Sequence, residues 1–259
     1  MMSRNDTRET AARHPWWASV RPLARIVLAP LASLLLLGST AWSQTHTVTT
    51  VTTGTSGPVA VAADAGGVRY VAENGGRRVM KVAPDGTTTL LANVIHRLYG
   101  IAVAPSGTAY VSDLEAHRIL EIDPEGNILT LAGSTRGYAD GTGGDAKFAH
   151  PAGLALDASG NLYVADRDNH RIRRIDTATG EVTTVAGSSL GYLDAQGTAA
   201  RFNTPAAVAV DLSGTLYVAD AGNARIRKIA PDGTVTTLAG STQGYADGTG
   251  AAAQFATPW

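Results

Sequence analysis

Histidine and clustered aspartate are the side chains of this chain best suited to chemistry. His96, His117, His150 and His170 fall among short apolar runs beyond residue 50. Imidazole titrates near neutrality and is the commonest protein ligand of zinc, so three of them converging from separate loops would make a metal site. The run DGTGGD from Asp140 to Asp145 points to a different chemistry, because Ca²⁺ takes carboxylate and carbonyl oxygens from a bent, glycine-rich backbone. Sister loops weaken that reading: Asp194 and Asp247 keep the first acid, but Thr198, Ala199 and Ala251 to Ala253 supply no second. His117 and His170 hold the same slot of successive repeats, which favours a role that comes with the repeat over a site built once. The chain has no Cys, which excludes disulfides, thiolate metal sites and cysteine nucleophiles, and no Gly-x-Ser-x-Gly elbow occurs. No cofactor is expected; Ca or Zn are the ions these groups would take, and the metal site is left unassigned.

A repeat must position these groups. It is clearest from Pro151 to Gly187, where four apolar runs, LALD, LYVAD, RIRRI and VTTVAG, are separated by turn-formers in the pattern of a four-stranded antiparallel meander. Tyr70, Tyr110, Tyr163 and Tyr217 share one place in the second run, at spacings of 40, 53 and 54 residues, and Arg78, Arg118, Arg171 and Arg225 open the third. A sheet unit repeated at that period cannot bury both faces alone. The copies must stack, and the architecture that stacks four-stranded blades is the β-propeller. The fold class expected is therefore all-β, with four complete blades in residues 58–259 and the start of a fifth at Pro258-Trp259. Residues 44–57 contain THTVTTVTT, a β-branched run expected to be an orphan outer strand that closes the ring.

The second run of each repeat ends in an acid: Glu73, Asp113, Asp166 and Asp220. Acids and arginines that recur in every blade suit packing and turn-capping better than ligand binding, which on a ring of unequal blades needs groups that differ. Asp166 with Asn169, and Asp220 with Asn223, are expected to bond backbone groups in the turn after the second strand. The dense run Arg167, Arg171, Arg173 and Arg174, followed by Arg225, Arg227 and Lys228, is interleaved with Asp166, Asp168 and Asp176 and reads as a solvated, salt-bridged strand face. Three long loops, 133–151, 187–205 and 240–258, share Gly-Tyr-x-Asp, a glycine-rich bend, a Phe and a Pro. Tyr138, Tyr192, Tyr245 and Phe148, Phe202, Phe255 read as anchors that fold each loop back onto the blades. The loop-rich face is the expected contact side, with His96, His117, His150, His170, Asp140 and Asp145 as its candidate binding residues.

The first 43 residues have a different composition. Five arginines precede an apolar run from Ile26 to Leu37, and Ala41 and Ser43 flank Trp42, the pattern of a Sec-type signal peptide cleaved after Ser43. The apolar run is too short for a comfortable membrane span. Cleavage moves the formal net charge from −1 to −4, and the mature protein is expected to be secreted or periplasmic. A mildly acidic exported domain is a poor nucleic-acid binder, which leaves a protein or glycan as the expected partner.

The pattern Pro-x-Gly-hydrophobic-x-hydrophobic-Asp, then GNLYVAD, then NHRIRRI, resembles the NHL repeat, and Pro151 to Ile175 matches it almost position for position. Pro205 to Ile229 matches with Ala224 in place of His, while Glu73, Gly76 and Ala116 depart from the pattern in the first two repeats. The resemblance implies a propeller, commonly six-bladed, of which four blades would be a truncated ring. Its members include interaction scaffolds, RNA-binding modules and lyases. The reading adopted is a binding or interaction scaffold, the alternative being a metal-dependent lyase or lactonase-like enzyme with a metal at the central channel.

Overall fold

Each repeat alternates apolar and small residues so that both sides of its sheet can be buried, and the computed structural model, which describes residues 55–259, places a neighbour on each side of the inner two blades. Blade one is β1 (Pro58–Ala63), β2 (Arg69–Glu73), β3 (Arg78–Val82) and β4 (Thr88–Asn93); blade two is β5 (Leu98–Val103), β6 (Ala109–Asp113), β7 (Arg118–Ile122) and β8 (Ile128–Gly133). A short strand β9 (Gly141–Thr142) precedes blade three, β10 (Pro151–Leu156), β11 (Asn161–Asp166), β12 (Arg171–Asp176) and β13 (Glu181–Gly187). Blade four is β14 (Pro205–Val210), β15 (Leu216–Asp220), β16 (Arg225–Ile229) and β17 (Val235–Gly240). All four are antiparallel meanders in sequence order, and β9 adds a fifth strand to the outer edge of blade three. The signal segment 1–43 and the ring-closing strand expected within residues 45–53 lie outside the described residues. No helix of the described residues is long and apolar enough to cross a membrane.

The core lies between blades. Ala72, Val79 and Leu91 of blade one meet Leu98, Val111 and Ile122 of blade two, and the slots of Val79, Val111 and Ile122 meet again as Ile119, Val164 and Ile175 between blades two and three and as Ile172, Val218 and Ile229 between three and four. The long loops enter these seams: Phe148 joins the second and Phe202 the third, each with no exposed surface. The turns follow from local chemistry. Asp157 accepts the main-chain N–H groups of Ser159 and Asn161 and the hydroxyl of Tyr163, and Asp211 with Tyr217 repeats the arrangement one blade on. The recurring tyrosine thus closes the turn between the first two strands.

Inner strands approach so closely that two positions admit no side chain. A Cβ on Gly153 would lie 2.6 Å from the Ala207 Cα, and one on Gly100 would lie 2.5 Å from the Ala152 carbonyl oxygen. Both sit at the register shift that bends each inner strand, a β-bulge that recurs in every blade. Ser112 bridges the same seam, its hydroxyl accepting the Gly100 N–H and donating to the Ala152 carbonyl, both at 2.7 Å.

Candidate binding face

The acid that ends each second strand organises one face of the protein, but it does so in two ways. In blades one and two it pairs with the arginine that opens the third strand, Arg78 to Glu73 at 2.7 Å and Arg118 to Asp113 at 3.0 Å. In blades three and four the partner lies two residues further on. Arg173 meets Asp166 and Arg227 meets Asp220, both at 2.8 Å, and all four side chains are fully buried. This corrects the reading of a solvated strand face: Arg173 and Arg227 are interior, in the slot that holds a half-buried Met80 in blade one and a buried Leu120 in blade two.

A buried guanidinium needs acceptors for its donors, and the long loops supply them. Arg173 donates to the carbonyls of Ala139 (2.7 Å) and Lys147 (3.1 Å) and to the Asp140 carboxylate (2.6 Å), in addition to Asp166. Arg227 repeats the set with Leu193, Arg201 and Asp194. Asp166 also accepts the Ala149 N–H at 2.8 Å and the Asn169 amide, which itself donates to the Gly137 carbonyl. Tyr138 closes the loop from above, with the Arg171 guanidinium 3.9 Å from its ring centre and its hydroxyl on Thr184; Tyr192, Arg225 and Thr237 form the same set. The loops 137–150 and 191–204 are therefore clamped to the blades that follow them. Tyr245, which has no later blade in the described chain, is 90% exposed against 47% for Tyr138 and Tyr192. Burial pushes the Asp166 and Asp220 carboxyls up, while the N–H donors and the arginine beside each pull the other way.

That arrangement settles where the candidate residues go. Asp140 is held by Arg173 and by the N–H and hydroxyl of Thr184, so its oxygens already have partners, while Asp145 lies exposed in the adjoining turn. Among the described residues no group of three His, Cys, Asp or Glu is placed to hold a metal ion. Each candidate histidine uses its Nδ1. His117 Nδ1 accepts the main-chain N–H of His150 (3.2 Å) and His170 Nδ1 that of Thr204 (3.1 Å); His150 Nδ1 lies 2.6 Å from Asp168, and His96 Nδ1 3.1 Å from Asp113. His117 and His150 come together with ring centres 4.7 Å apart, edge to face, whereas His170 serves the next seam. His150 and Thr204 have φ of +51° and +47°, so these bonds fix the strained residue that begins each inner strand. His117 and His170 are joints between blades, and His96 and His150 bond to acids of their own blade.

Two adjoining clefts open on this same face, where the inner strands start and the turns after the second strands emerge. One, of about 320 Å³, includes Tyr99, Arg167, Thr204, Ala206, Ala221 and Gln243 in its lining. The other, of about 200 Å³, includes Val59, Asn74, Arg97, Tyr99 and Leu114. Tyr99 belongs to both, as does Trp259. Apart from Gln243 and Trp259, which follow blade four, these residues come from three slots of the repeat: the residue before the inner strand (Gly57, Arg97, His150, Thr204), its second residue (Val59, Tyr99, Ala152, Ala206), and the residue after the recurring acid (Asn74, Leu114, Arg167, Ala221). The first and third slots differ in all four blades and the second holds Val, Tyr and twice Ala, whereas the acid that precedes the third slot recurs as Glu or Asp in every blade. Sequence reading passed over Arg97 and Tyr99 and placed Arg167 in a general charged stretch; the available signal was this departure from the repeat.

Comparison with known proteins agrees with the geometry. The NHL repeat profile matches residues 148–175 and 202–229, the first three strands of blades three and four with the ends of their clamped loops. NHL repeat-containing protein 2 of Homo sapiens is 39% identical over 95 residues, covering 35% of this chain and 13% of that protein. The chain spans 9 to 13% of the length of the first curated relatives it matches. Among solved structures, an auxiliary nutrient binding protein from Bacteroides thetaiotaomicron superposes with a TM-score of 0.64 at 20% identity, covering 80% of this chain and 54% of its own. A streptogramin B lyase superposes with a TM-score of 0.53 at 18% identity, covering 70% and 53%. At such identities these two show the fold alone. Four stacked meanders, their repeated turn and clamp residues, and the matched segments together show that the chain carries NHL repeats in a β-propeller architecture.

Proposed function

We propose that the chain is a binding module that takes its ligand on the face where the inner strands begin, at the clefts shared by Tyr99. The observation that carries this reading is the variability of their lining: Arg97, Tyr99 and Arg167 each stand in a slot where no other blade has the same residue, and they meet at one place, while the repeated Asp166, Asp220, His117 and His170 nearby are engaged in clamps or joints. A site on a quasi-symmetric scaffold needs such asymmetry, because identical groups at each blade would offer a ligand several equivalent half-sites. The candidate His150 borders this face as a support together with Asp168, which also holds Arg136. We further propose that the protein works outside the cytoplasm, a reading that rests on the arginine-led apolar segment 4–37 and the small residues around Trp42. Export predicts a mature N-terminus at Gln44, readable by N-terminal sequencing of protein recovered from a periplasmic fraction.

Thermal-shift screening of the protein against saccharides, peptides and small acids tests the location. A compound that raises the Tm of the wild type should lose most of its effect on Tyr99→Ala and keep it on Leu212→Ser, which alters a fully exposed turn residue. Equal stabilisation of the Tyr99 variant would put the ligand elsewhere.

A further inference from the structure

The charge and shape of these clefts narrow the ligand. The twelve residues of the three variable slots include Arg97, Arg167, His150, Asn74, Thr204 and Tyr99 and not one Asp or Glu. This is notable in a chain whose formal net charge is −1. Of the acids close by, Glu73 pairs with Arg78, Asp113 with Arg118 and His96, Asp166 with Arg173, and Asp168 with His150 and Arg136. Among the described residues Arg167 pairs with the edge of Asp168 alone, 3.9 Å away, and its side chain keeps 42% of its surface exposed. Of the four arginines clustered from Arg167 to Arg174, the fold buries Arg173 and lays Arg171 on Tyr138, and it leaves Arg167 at the cleft.

Arg97 lines one cleft and Arg167 the other, with the Tyr99 side chain common to both. An aromatic ring takes the C–H face of a flat or chair-shaped ring, a guanidinium takes a carboxylate through paired N–H donors, and neutral amides and hydroxyls such as Asn74, Thr204 and Gln243 suit a polyol. We propose that the two clefts bind an acidic saccharide, a uronic-acid disaccharide or the end of a longer uronate chain. One ring would lie in each cleft against Tyr99, and the carboxylates would be met by Arg97 and Arg167. This rests on the binding-face reading and adds the ligand's class to it.

Titration calorimetry of the full chain with digalacturonate and with its dimethyl ester separates the parts of the idea. The acid is expected to bind, the ester about tenfold more weakly or less, and Arg97→Gln and Arg167→Gln each to cost the acid about tenfold, as for loss of a hydrogen bond to a charged group. Both substitutions lie on exposed or cleft surface, and unchanged urea unfolding confirms that the variants are folded. Binding of the acid should also weaken as NaCl is raised. Equal binding of acid and ester, or acid binding indifferent to both arginine variants, overturns the proposal. So does absence of digalacturonate binding while another screened compound stabilises the wild type through Tyr99; that outcome leaves the binding face standing and removes only the acidic saccharide.

Discussion

Replacing Arg173 with Met should destabilise blade three by about 3–5 kcal/mol, the usual cost of removing one partner of a buried ion pair. The substitution has its own control inside the protein, because Met80 fills the same slot in blade one. Steric misfit therefore contributes little, and the loss comes from what Arg173 holds. Asp166 would keep the Ala149 N–H and the Asn169 amide but lose the Arg173 guanidinium, its one cation at hydrogen-bonding distance among the described residues, and the carbonyls of Ala139 and Lys147 would lose a donor. A net contribution of roughly 1.5–3 kcal/mol for each hydrogen bond to a charged group is large enough to reach the total without any change in the blade itself. Urea unfolding at pH 7 measures it. Adding Asp166→Asn to Arg173→Met should return part of the loss, because the uncompensated carboxylate goes while the acceptor for Ala149 stays. The pH dependence has a definite sign. Burial already raises the Asp166 carboxyl above its ordinary value, and removing Arg173 raises it further. A raised carboxyl favours the folded state in its protonated form, so the gap between variant and wild type should narrow as pH falls through that folded value. A loss below 1 kcal/mol, or strict additivity of the two substitutions, would refute the reasoning.

Phe202→Ala should cost about 3–5 kcal/mol, since the ring is fully buried in the seam between blades three and four, and chemical denaturation would read it. Gly153→Ala should destabilise by about 1–3 kcal/mol through overpacking, the added methyl meeting backbone that cannot swing aside, while Gly144→Ala, where nothing lies within 4 Å, should change little. Burial lowers the His117 imidazole below its ordinary value, with His150 and Arg136 adding to it, and burial likewise lowers His170. Their neutral forms accept main-chain N–H groups, so their stabilisation is whole above the ordinary histidine value and is lost as pH falls from there toward the lowered folded values. Tm should drop between pH 7.5 and 5.5, and His117→Asn with His170→Asn should flatten that slope.

The repeat made the fold legible. Tyr, Arg and acid at fixed places, with Pro and Gly in the turns, announced four meanders, and the strands fall where those runs lie. What stayed hidden depended on partners far away in sequence. Arg173 reads as a surface charge because arginine is seldom buried. Only the coincidence that Arg appears in the Met80 and Leu120 slot in the two blades that follow a long loop gave it away. The histidines drew attention as metal ligands, yet their role is set by a neighbouring residue at positive φ whose N–H points at the ring, and no spacing reveals that. Arg97, Tyr99 and Arg167 come from three different slots on two blades. They became neighbours only when the inner strands converged, so their one mark in the sequence was being unlike their counterparts.

The account turns on the long loops being part of the fold, which is what leaves the Tyr99 clefts as the free surface of this face. Native-state hydrogen exchange of the whole chain tests this most directly at the amides of Gly137, Lys147 and Ala149 and their counterparts Gly191, Arg201 and Asn203, all of which donate within the clamps. The prediction is protection comparable with the central strands β11 and β15, falling sharply in the first loop alone when Arg173 is replaced by Met. Exchange at these six amides as fast as in the exposed turn at Leu212 would contradict it.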